Sequence, residues 1–253
     1  MSTFEATDFA LSMGFTAANL TTPASEQMWS SWEDAQCQPN FRRNVSPDPT
    51  QSCGPYTPKP SNAKFRAKSP RRLQEEADAI RDRTPVGISP SNHDTISMIV
   101  IDAHGNMAAG TSSNGASHKI PGRVGDAPIP GAGAWVDSDW GGCAATGDGD
   151  IMMRFAPCYQ AVQNLRAGHD PRQAAEDSLG RIERFFNFKG ALVVIDRQGN
   201  YGAASWGMPF QYSVRTGEMN STQVIGIQPG DWKYVKPLGD ERRSKGKRHA
   251  PFN

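Results

Sequence analysis

The residues with the clearest chemical potential are Asn92-His93-Asp94-Thr95, where a polar loop meets the apolar run Ile96-Ser97-Met98-Ile99-Val100-Ile101. The run predicts a buried strand over 95–102 that opens on a threonine. A threonine there can be simply a β-branched residue suited to a pleated surface. It can also be a nucleophile created by cutting the chain before it, so that its own amine becomes the base. These residues alone leave both interpretations open.

A second candidate site is the segment 121–133, in which glycines and prolines fix an unusual backbone around Arg123 and Asp126. The arginine fork matches a carboxylate, and an aspartate matches an ammonium group. Held side by side, the two would bind the charged groups of a free α-amino acid. The alternative is that they pair with each other as a weak surface salt bridge.

A third candidate is Ala144-Ala145-Thr146-Gly147-Asp148-Gly149-Asp150, at a predicted strand-to-helix junction. Backbone N–H groups at a helix start, beside the Thr146 hydroxyl, suit an oxyanion or a phosphate. The alternative is a plain helix N-terminus with Asp148 or Asp150 as its cap. The five histidines lack metal-ligand spacing, so no metal site is predicted.

Composition excludes several broad function classes. The 253 residues carry a net charge of +1, which argues against nucleic-acid or membrane-surface partners. The sequence contains no run of about 18 apolar residues, the length that a membrane-spanning helix requires. The opening Met1-Ser2-Thr3-Phe4-Glu5-Ala6 lacks signal-peptide features, which by itself favours the cytosol. Cys37 and Cys53 flank a turn-rich segment that a disulfide could close, whereas Cys143 and Cys158 are expected to be buried apolar residues.

The elements that must position these residues follow from hydrophobic spacing. Helices are predicted over 8–15, 25–35, 72–83, 151–168 and 171–185. Strands are predicted over 95–102, 107–112, 133–136, 141–146, 191–196, 201–206, 211–215 and 222–227. The order indicates an α+β protein in which antiparallel sheets pack against helices. A proline-rich loop over 37–94 and a disordered basic tail over 233–253 flank the sheet region.

Five motifs in order carry a family resemblance: His93-Asp94-Thr95-Ile96, Gly110-Thr111-Ser112-Ser113-Asn114-Gly115, Pro121-Gly122-Arg123-Val124-Gly125-Asp126, Pro128-Ile129-Pro130-Gly131-Ala132-Gly133, and residues 145–155. Over residues 8–232 the chain resembles glycosylasparaginases, which are N-terminal-nucleophile hydrolases. The resemblance implies a four-layer αββα sandwich, here incomplete at its N-terminus. It also implies residues 1–94 and 95–232 as the two subunits of a processed chain.

The resemblance assigns chemical roles to particular residues. Autoproteolysis would separate Asp94 from Thr95, and the Thr95 hydroxyl would then attack the substrate amide with its freed amine as base. Ser113, where the family has a threonine, would support the nucleophile. The other implied residues are the substrate-binding set Arg123, Val124, Gly125, Asp126, Thr146, Gly147, Asp148 and Gly149, in which Thr146 and Gly147 form the oxyanion hole.

The implied reaction is hydrolysis of N4-(β-N-acetylglucosaminyl)-L-asparagine in lysosomal or vacuolar glycoprotein degradation, without cofactor or metal. The expected partners are the small-molecule glycosylated asparagine, the chain's own cleaved subunit and further copies of the processed heterodimer. A disulfide between Cys37 and Cys53 is also implied.

Two alternatives remain beside this interpretation. One is an L-asparaginase/isoaspartyl peptidase, although His93-Asp94 and Pro128-Ile129-Pro130 favour the glycosylasparaginase. The other is an inactive, unprocessed chain, because the family segment before Asp8, with its opening strand and active-site tryptophan, has no counterpart here. The sequence predicts a shortened isoform on this ground.

Overall fold

The computed structural model describes residues 4–34, 45–48, 55–60, 93–117, 119, 122–183 and 188–230. Its helices are α1 (Phe4–Ser12), α2 (Pro23–Asp34), α3 (Gly149–Met152), α4 (Pro157–Arg166) and α5 (Pro171–Glu183). Its strands are β1 (Val45–Ser46), β2 (Thr57–Pro58), β3 (His93–Ile101), β4 (Met107–Ala116), β5 (Ala134–Asp137), β6 (Gly141–Gly147), β7 (Gly190–Asp196), β8 (Tyr201–Trp206), β9 (Phe210–Val214) and β10 (Gln223–Ile227). The α+β class predicted from the sequence is confirmed.

The central element is the antiparallel sheet β5-β6-β7-β8, which is built from neighbouring hairpin pairs. Small and aliphatic residues make up β6 and most of β7, and these two inner strands are largely buried. Helices α4 and α5 pack against each other and against this sheet. The core between them is formed by fully buried side chains, among them Met152, Val162, Leu179, Leu192 and Val194.

The hairpin β3-β4 covers the other face of the central sheet. Adjacent residues of a strand point to opposite faces, and β6 demonstrates this arrangement. A Cβ atom at Gly141 would meet Leu165 of α4, whereas one at Gly142 would lie 2.8 Å from Ile99 of β3. Within residues 93–206, the helix pair, the four-stranded sheet and the two-stranded sheet β3-β4 therefore lie in three successive layers; the pairs β1-β2 and β9-β10 form two further small sheets.

The prediction that β3 is buried is only half right. Ile99 packs on β6, but the alternate side chains Ile96, Met98 and Val100 are 72%, 67% and 45% exposed. The strand has an apolar outer face in addition to its core face, and an uninterrupted apolar run cannot distinguish one from the other. None of the described residues buries this outer face.

The single helix predicted over 151–168 is wrong. The chain forms the short α3, then Ala156 adopts a left-handed φ of 46°, and α4 begins at Pro157. Proline disfavours helical geometry in the residue before it and is well suited to the first position of a new helix. The apolar spacing continues across the break because both pieces face the same core.

The remaining boundaries agree with the sequence to within a few residues. The helices predicted over 8–15 and 25–35 are α1 and α2, although their apolar side chains Phe9 and Trp29 stay exposed. Strand β4 continues four residues past its predicted end at 112, and β3 begins two residues before Thr95. The predicted helix over 72–83, the cysteines Cys37 and Cys53 and the tail over 233–253 lie outside the described residues.

Candidate active site

Thr95 lies at an irregularity in the β3-β4 ladder. Asp94 pairs with Gly115 and Ile96 pairs with Ser112, so the register shifts across Thr95. A β-bulge of this kind disrupts the ladder locally and re-aims a side chain. The strand runs through the Asp94–Thr95 bond rather than starting after it, and two residues of β4, Ser113 and Asn114, stand opposite the single residue Thr95.

Three oxygen atoms meet at this bulge. The Thr95 hydroxyl lies 2.8 Å from the carbonyl oxygen of Asp94 and 2.9 Å from the Ser113 hydroxyl. The Ser113 hydroxyl in turn donates to the same Asp94 oxygen at 2.8 Å. The carbonyl that precedes the candidate nucleophile is therefore within hydrogen-bond distance of two hydroxyls, a geometry that polarises it for attack.

Arg123 lies beside this group. A Cβ atom at Gly115, the ladder partner of Asp94, would be 2.6 Å from Nη1 of Arg123, and one at Gly125 would be 2.7 Å from it. The guanidinium thus occupies space that side chains at these glycines would fill. Its Nε donates to Asp150 Oδ1 at 2.9 Å. Arg123 is therefore ion-paired with Asp150, and the alternative of an exposed Arg123–Asp126 salt bridge is not what the structure contains.

Asp126 is buried, at 4% exposed. Its Oδ2 atom has no hydrogen-bond partner within the part of the chain that the structure describes. Burial raises the pKa of this carboxyl, with a smaller opposing effect from Arg123. A buried carboxylate oxygen without a donor is costly, so this atom is suited to a cationic ligand.

Gly149 fits closely against Asp126. A Cβ atom at position 149 would lie 2.7 Å from Asp126 Oδ1 and 3.0 Å from its backbone nitrogen. Because the backbone at 126 cannot move out of the way cheaply, this position requires glycine. The motif over 121–126 and the motif over 145–150 are thereby brought into direct contact.

Asp148 is the cap of α3, as one of the two interpretations of this junction predicted. Its side chain accepts a hydrogen bond from the Asp150 N–H at 3.2 Å.

A hydrogen bond joins strand β3 to β6 close to this junction, since Ser97 Oγ donates to the Ala145 carbonyl at 3.0 Å. That contact lies two residues after Thr95 and one residue before Thr146. The candidate nucleophile Thr95 is in β3, and the candidate oxyanion donors at 146 and 147 are in β6, the strand on which β3 packs.

Asp148 also makes stability depend on pH. Burial, followed by the charge of Asp150, raises the pKa of Asp148 from 3.8 to about 6. The folded chain therefore holds more protons than the unfolded chain between these values. Through Asp148 alone, the free energy of unfolding is expected to fall by roughly 2 kcal/mol as pH rises from 4 to 6, and by roughly 3 kcal/mol in total from low pH to above pH 7. Burial of Asp126 acts in the same direction.

We expect Asp148→Asn to raise the free energy of unfolding at pH 7 and to flatten its fall between pH 4 and 6, because the amide carries no charge to bury. Urea unfolding at several pH values measures this. Asp170→Asn is the matched control, since Asp170 accepts from the Gln173 N–H in the same way but is exposed. If the free energy of unfolding of Asp148→Asn falls with pH as steeply as that of Asp170→Asn, Asp148 is not the group that causes the fall.

One residue near the site was missed by the sequence analysis. Lys119 donates from Nζ to Asn114 Oδ1 at 3.1 Å. Burial and then the charge of Arg123 lower the pKa of Lys119, whereas the charge of Asp94 opposes the shift. Lys119 is therefore close enough to Arg123 and Asp94 for the charges of both to act on it. Its position between two recognised motifs was the only available signal.

Among the described residues, no group of three or more histidine, cysteine, aspartate or glutamate side chains could hold a metal ion. No helix described in the structure is both long enough and apolar enough to cross a membrane. The predicted Cys37–Cys53 disulfide lies outside the described ranges and stays a prediction.

Comparison with known proteins adds the family. A family model described as asparaginase matches residues 1–225. The chain belongs to the asparaginase family. The resemblance inferred from the five motifs is confirmed, because curated relatives named as N(4)-(beta-N-acetylglucosaminyl)-L-asparaginases match 80% and 81% of this chain.

Three relatives illustrate the match. A putative N(4)-(beta-N-acetylglucosaminyl)-L-asparaginase of Drosophila persimilis is 54% identical over 204 residues, covering 80% of this chain and 50% of that protein. The N(4)-(beta-N-acetylglucosaminyl)-L-asparaginase of Mus musculus is 48% identical, covering 81% and 55%. A probable isoaspartyl peptidase/L-asparaginase 3 of Arabidopsis thaliana is 49% identical, covering 88% and 62%. The chain thus spans about half the length of the curated relatives it matches.

Proposed function

We propose that this chain is an amidohydrolase that cleaves the bond between N-acetylglucosamine and asparagine in N4-(β-N-acetylglucosaminyl)-L-asparagine, after autoproteolysis between Asp94 and Thr95. The observation that carries the proposal is the contact of the Thr95 and Ser113 hydroxyls with the Asp94 carbonyl oxygen. This geometry supports attack by a threonine on its own preceding peptide bond.

The first reaction is the cut. Thr95 Oγ attacks the carbonyl carbon of Asp94, and the Ser113 hydroxyl stabilises the charge that develops on the carbonyl oxygen. Each hydroxyl has one hydrogen, so a Ser113 that donates to Asp94 can accept from Thr95. Collapse of the intermediate moves the acyl group from nitrogen to oxygen, and the hydroxyl proton ends on the released amine. Water then hydrolyses the ester, which leaves an Asp94 carboxylate and a free Thr95 amine.

The second reaction is substrate turnover. The Thr95 amine, whose ordinary pKa is near 8, accepts the proton of its own hydroxyl as the oxygen attacks the substrate amide carbonyl. The Thr146 hydroxyl and the Gly147 N–H stabilise the oxyanion, each worth about 3 kcal/mol in comparable sites. The amino sugar leaves with the proton, and water releases aspartate from the Thr95 ester. No cofactor takes part in these steps.

The amino-acid part of the substrate is bound by the charged groups beside the nucleophile. Arg123 pairs with Asp150 through Nε, so its two Nη groups are the fork that binds the α-carboxylate. Asp126 binds the α-ammonium, which supplies the donor that its buried Oδ2 lacks among the described residues. Val124, Gly125, Asp148 and Gly149 shape this pocket.

The whole-protein architecture follows the same proposal. A fourth layer over the exposed face of Ile96, Met98 and Val100 would complete an αββα sandwich. Residues 1–94 and 95–232 form the two subunits after the cut, with 233–253 as a tail, and processed heterodimers associate further. We place the activity in lysosomal or vacuolar glycoprotein degradation.

A second candidate function is hydrolysis of asparagine or of β-aspartyl peptides, which the name of the Arabidopsis relative favours. The two functions share the amino-acid clamp and differ in the leaving group. We expect the chain to hydrolyse glycosylasparagine with the higher kcat/KM, because His93-Asp94 and Pro128-Ile129-Pro130 match the glycosylasparaginase pattern.

Aspartate release from glycosylasparagine, asparagine and a β-aspartyl dipeptide, measured in parallel on the processed protein, tests this preference. A higher kcat/KM for the dipeptide would replace the first function by the second. Thr95→Ala protein in the same assay is the blank for contaminating amidases.

A further inference from the structure

A pair of cysteines joins the candidate oxyanion strand to the helix packed on it. Cys143 is in β6 and Cys158 is in the first turn of α4, and their Sγ atoms are 2.8 Å apart. Both side chains are fully buried. Both are free thiols in the structure; their separation is shorter than two unbonded sulfur atoms normally keep, and it is longer than an S–S bond of about 2.05 Å.

The two cysteines enclose the functional segment. They stand fifteen residues apart, and the chain between them contains Thr146, Gly147, Asp148 and Asp150. Apart from these two cysteines, β6 and α4 are held together by apolar packing in the core. A covalent bond here would therefore restrict the movement of β6, which carries the candidate oxyanion donors, relative to α4.

We propose that Cys143 and Cys158 form a disulfide that ties β6 to α4 and closes a loop around the oxyanion segment. The consequence for catalysis rests on the proposed function; the bond itself does not. Two buried thiols of one chain, brought together by different elements, constitute a modification site rather than a nucleophile, because solvent and substrate do not reach them.

The chemistry is a two-step exchange with oxidised glutathione or another small disulfide. One cysteine thiolate attacks the reagent and releases one glutathione thiol, which leaves a mixed disulfide. The second cysteine attacks the protein sulfur of that mixed disulfide and releases the second glutathione thiol. The two cysteines lose two protons and two electrons in total, and the glutathione disulfide gains them.

The timing follows from burial. In the folded chain, burial and then contact with Cys143 raise the pKa of Cys158, and the charge of Asp126 adds to the shift. The thiolate that exchange requires is therefore suppressed once the core has closed. The bond forms while the chain folds in an oxidising compartment, before α4 packs on the sheet.

Thiol counting tests the bond. The chain is refolded in a glutathione redox buffer in a Cys37→Ala/Cys53→Ala background, so that Cys143 and Cys158 are the only cysteines left. It is then denatured and alkylated with iodoacetamide, with and without prior reduction. We expect no label without reduction and two labels after it, and a proteolytic peptide joining 143 to 158. Two labels without reduction would overturn the proposal.

Thermal unfolding provides a second, independent measurement. In the same background, reductant is expected to lower Tm by roughly 5 to 10 °C, as a loop of this size suggests. A chain that also carries Cys143→Ala and Cys158→Ala should not respond to reductant. An equal response in both chains would count against the bond. Cleavage before Thr95 is followed separately, so loss of the disulfide with intact cleavage rejects this inference and leaves the proposed function standing.

Discussion

Replacing Thr95 by alanine is expected to abolish both chain cleavage and substrate hydrolysis. The substitution removes the oxygen that, in the proposed function, attacks Asp94 and later the substrate amide. It also prevents release of the amine that would act as base. Loss of a nucleophile lowers turnover by about 10⁴-fold or more. Gel analysis of the purified chain and aspartate release from glycosylasparagine measure the two effects.

Thr95→Ser is the conservative partner of this variant, because serine keeps the hydroxyl and the amine. It should cleave and retain measurable turnover. Thr222→Ala, which removes an exposed threonine just before β10, should behave as the unmodified chain. Cleaved or active Thr95→Ala protein would show that the nucleophile is misassigned.

Arg123→Gln has the second largest expected effect. The glutamine lacks the fork that is proposed to bind the substrate α-carboxylate, and it leaves Asp150 without its ion-pair partner. Removing one side of a largely desolvated charge pair costs several kcal/mol, so kcat/KM for glycosylasparagine should fall by about 10²- to 10³-fold. The loss should appear chiefly in KM, because the α-carboxylate is bound in both the ground state and the transition state.

The chain offers a matched control and a second variant that changes no charge. Arg172 also donates from Nε to a carboxylate, Glu176, at 2.8 Å, but it lies exposed on α5; Arg172→Gln should leave KM unchanged. Gly125→Ala keeps every charge but pushes its Cβ against Arg123, and it should raise KM as well. An unchanged KM in Arg123→Gln would exclude this arginine from substrate binding.

The elements around the sheet could be predicted because their signals are local. Alternating and small-residue runs marked β5 to β8, and helical spacing from Pro171 marked α5. Pro157 is a local signal for the helix break before it, but the apolar residues keep helical spacing across the break and favour one continuous helix. The exposure of the outer face of β3 was not predictable, since an apolar run is compatible with burial on one face of the strand or on both.

For the candidate site as well, some features could be predicted from the sequence and others could not. The sequence marks candidate residues, such as Thr95 before a strand or an Arg–Asp pair in a rigid loop, while their types leave two interpretations open. Partners that meet only after folding are not marked in this way. The pairing of Arg123 with Asp150 and the meeting of Cys143 with Cys158 both join segments from different elements. Spacing along the chain carries no information about such contacts.

The most direct test of the central claim is the intact mass of the purified chain, combined with N-terminal sequencing. If Thr95 becomes an N-terminal nucleophile, the 27.5 kDa chain separates into two pieces that meet between Asp94 and Thr95. The second piece then begins Thr-Ile-Ser-Met. Hydrolysis of glycosylasparagine by a single uncut chain would contradict the account, because Thr95 would then have no free amine to act as base.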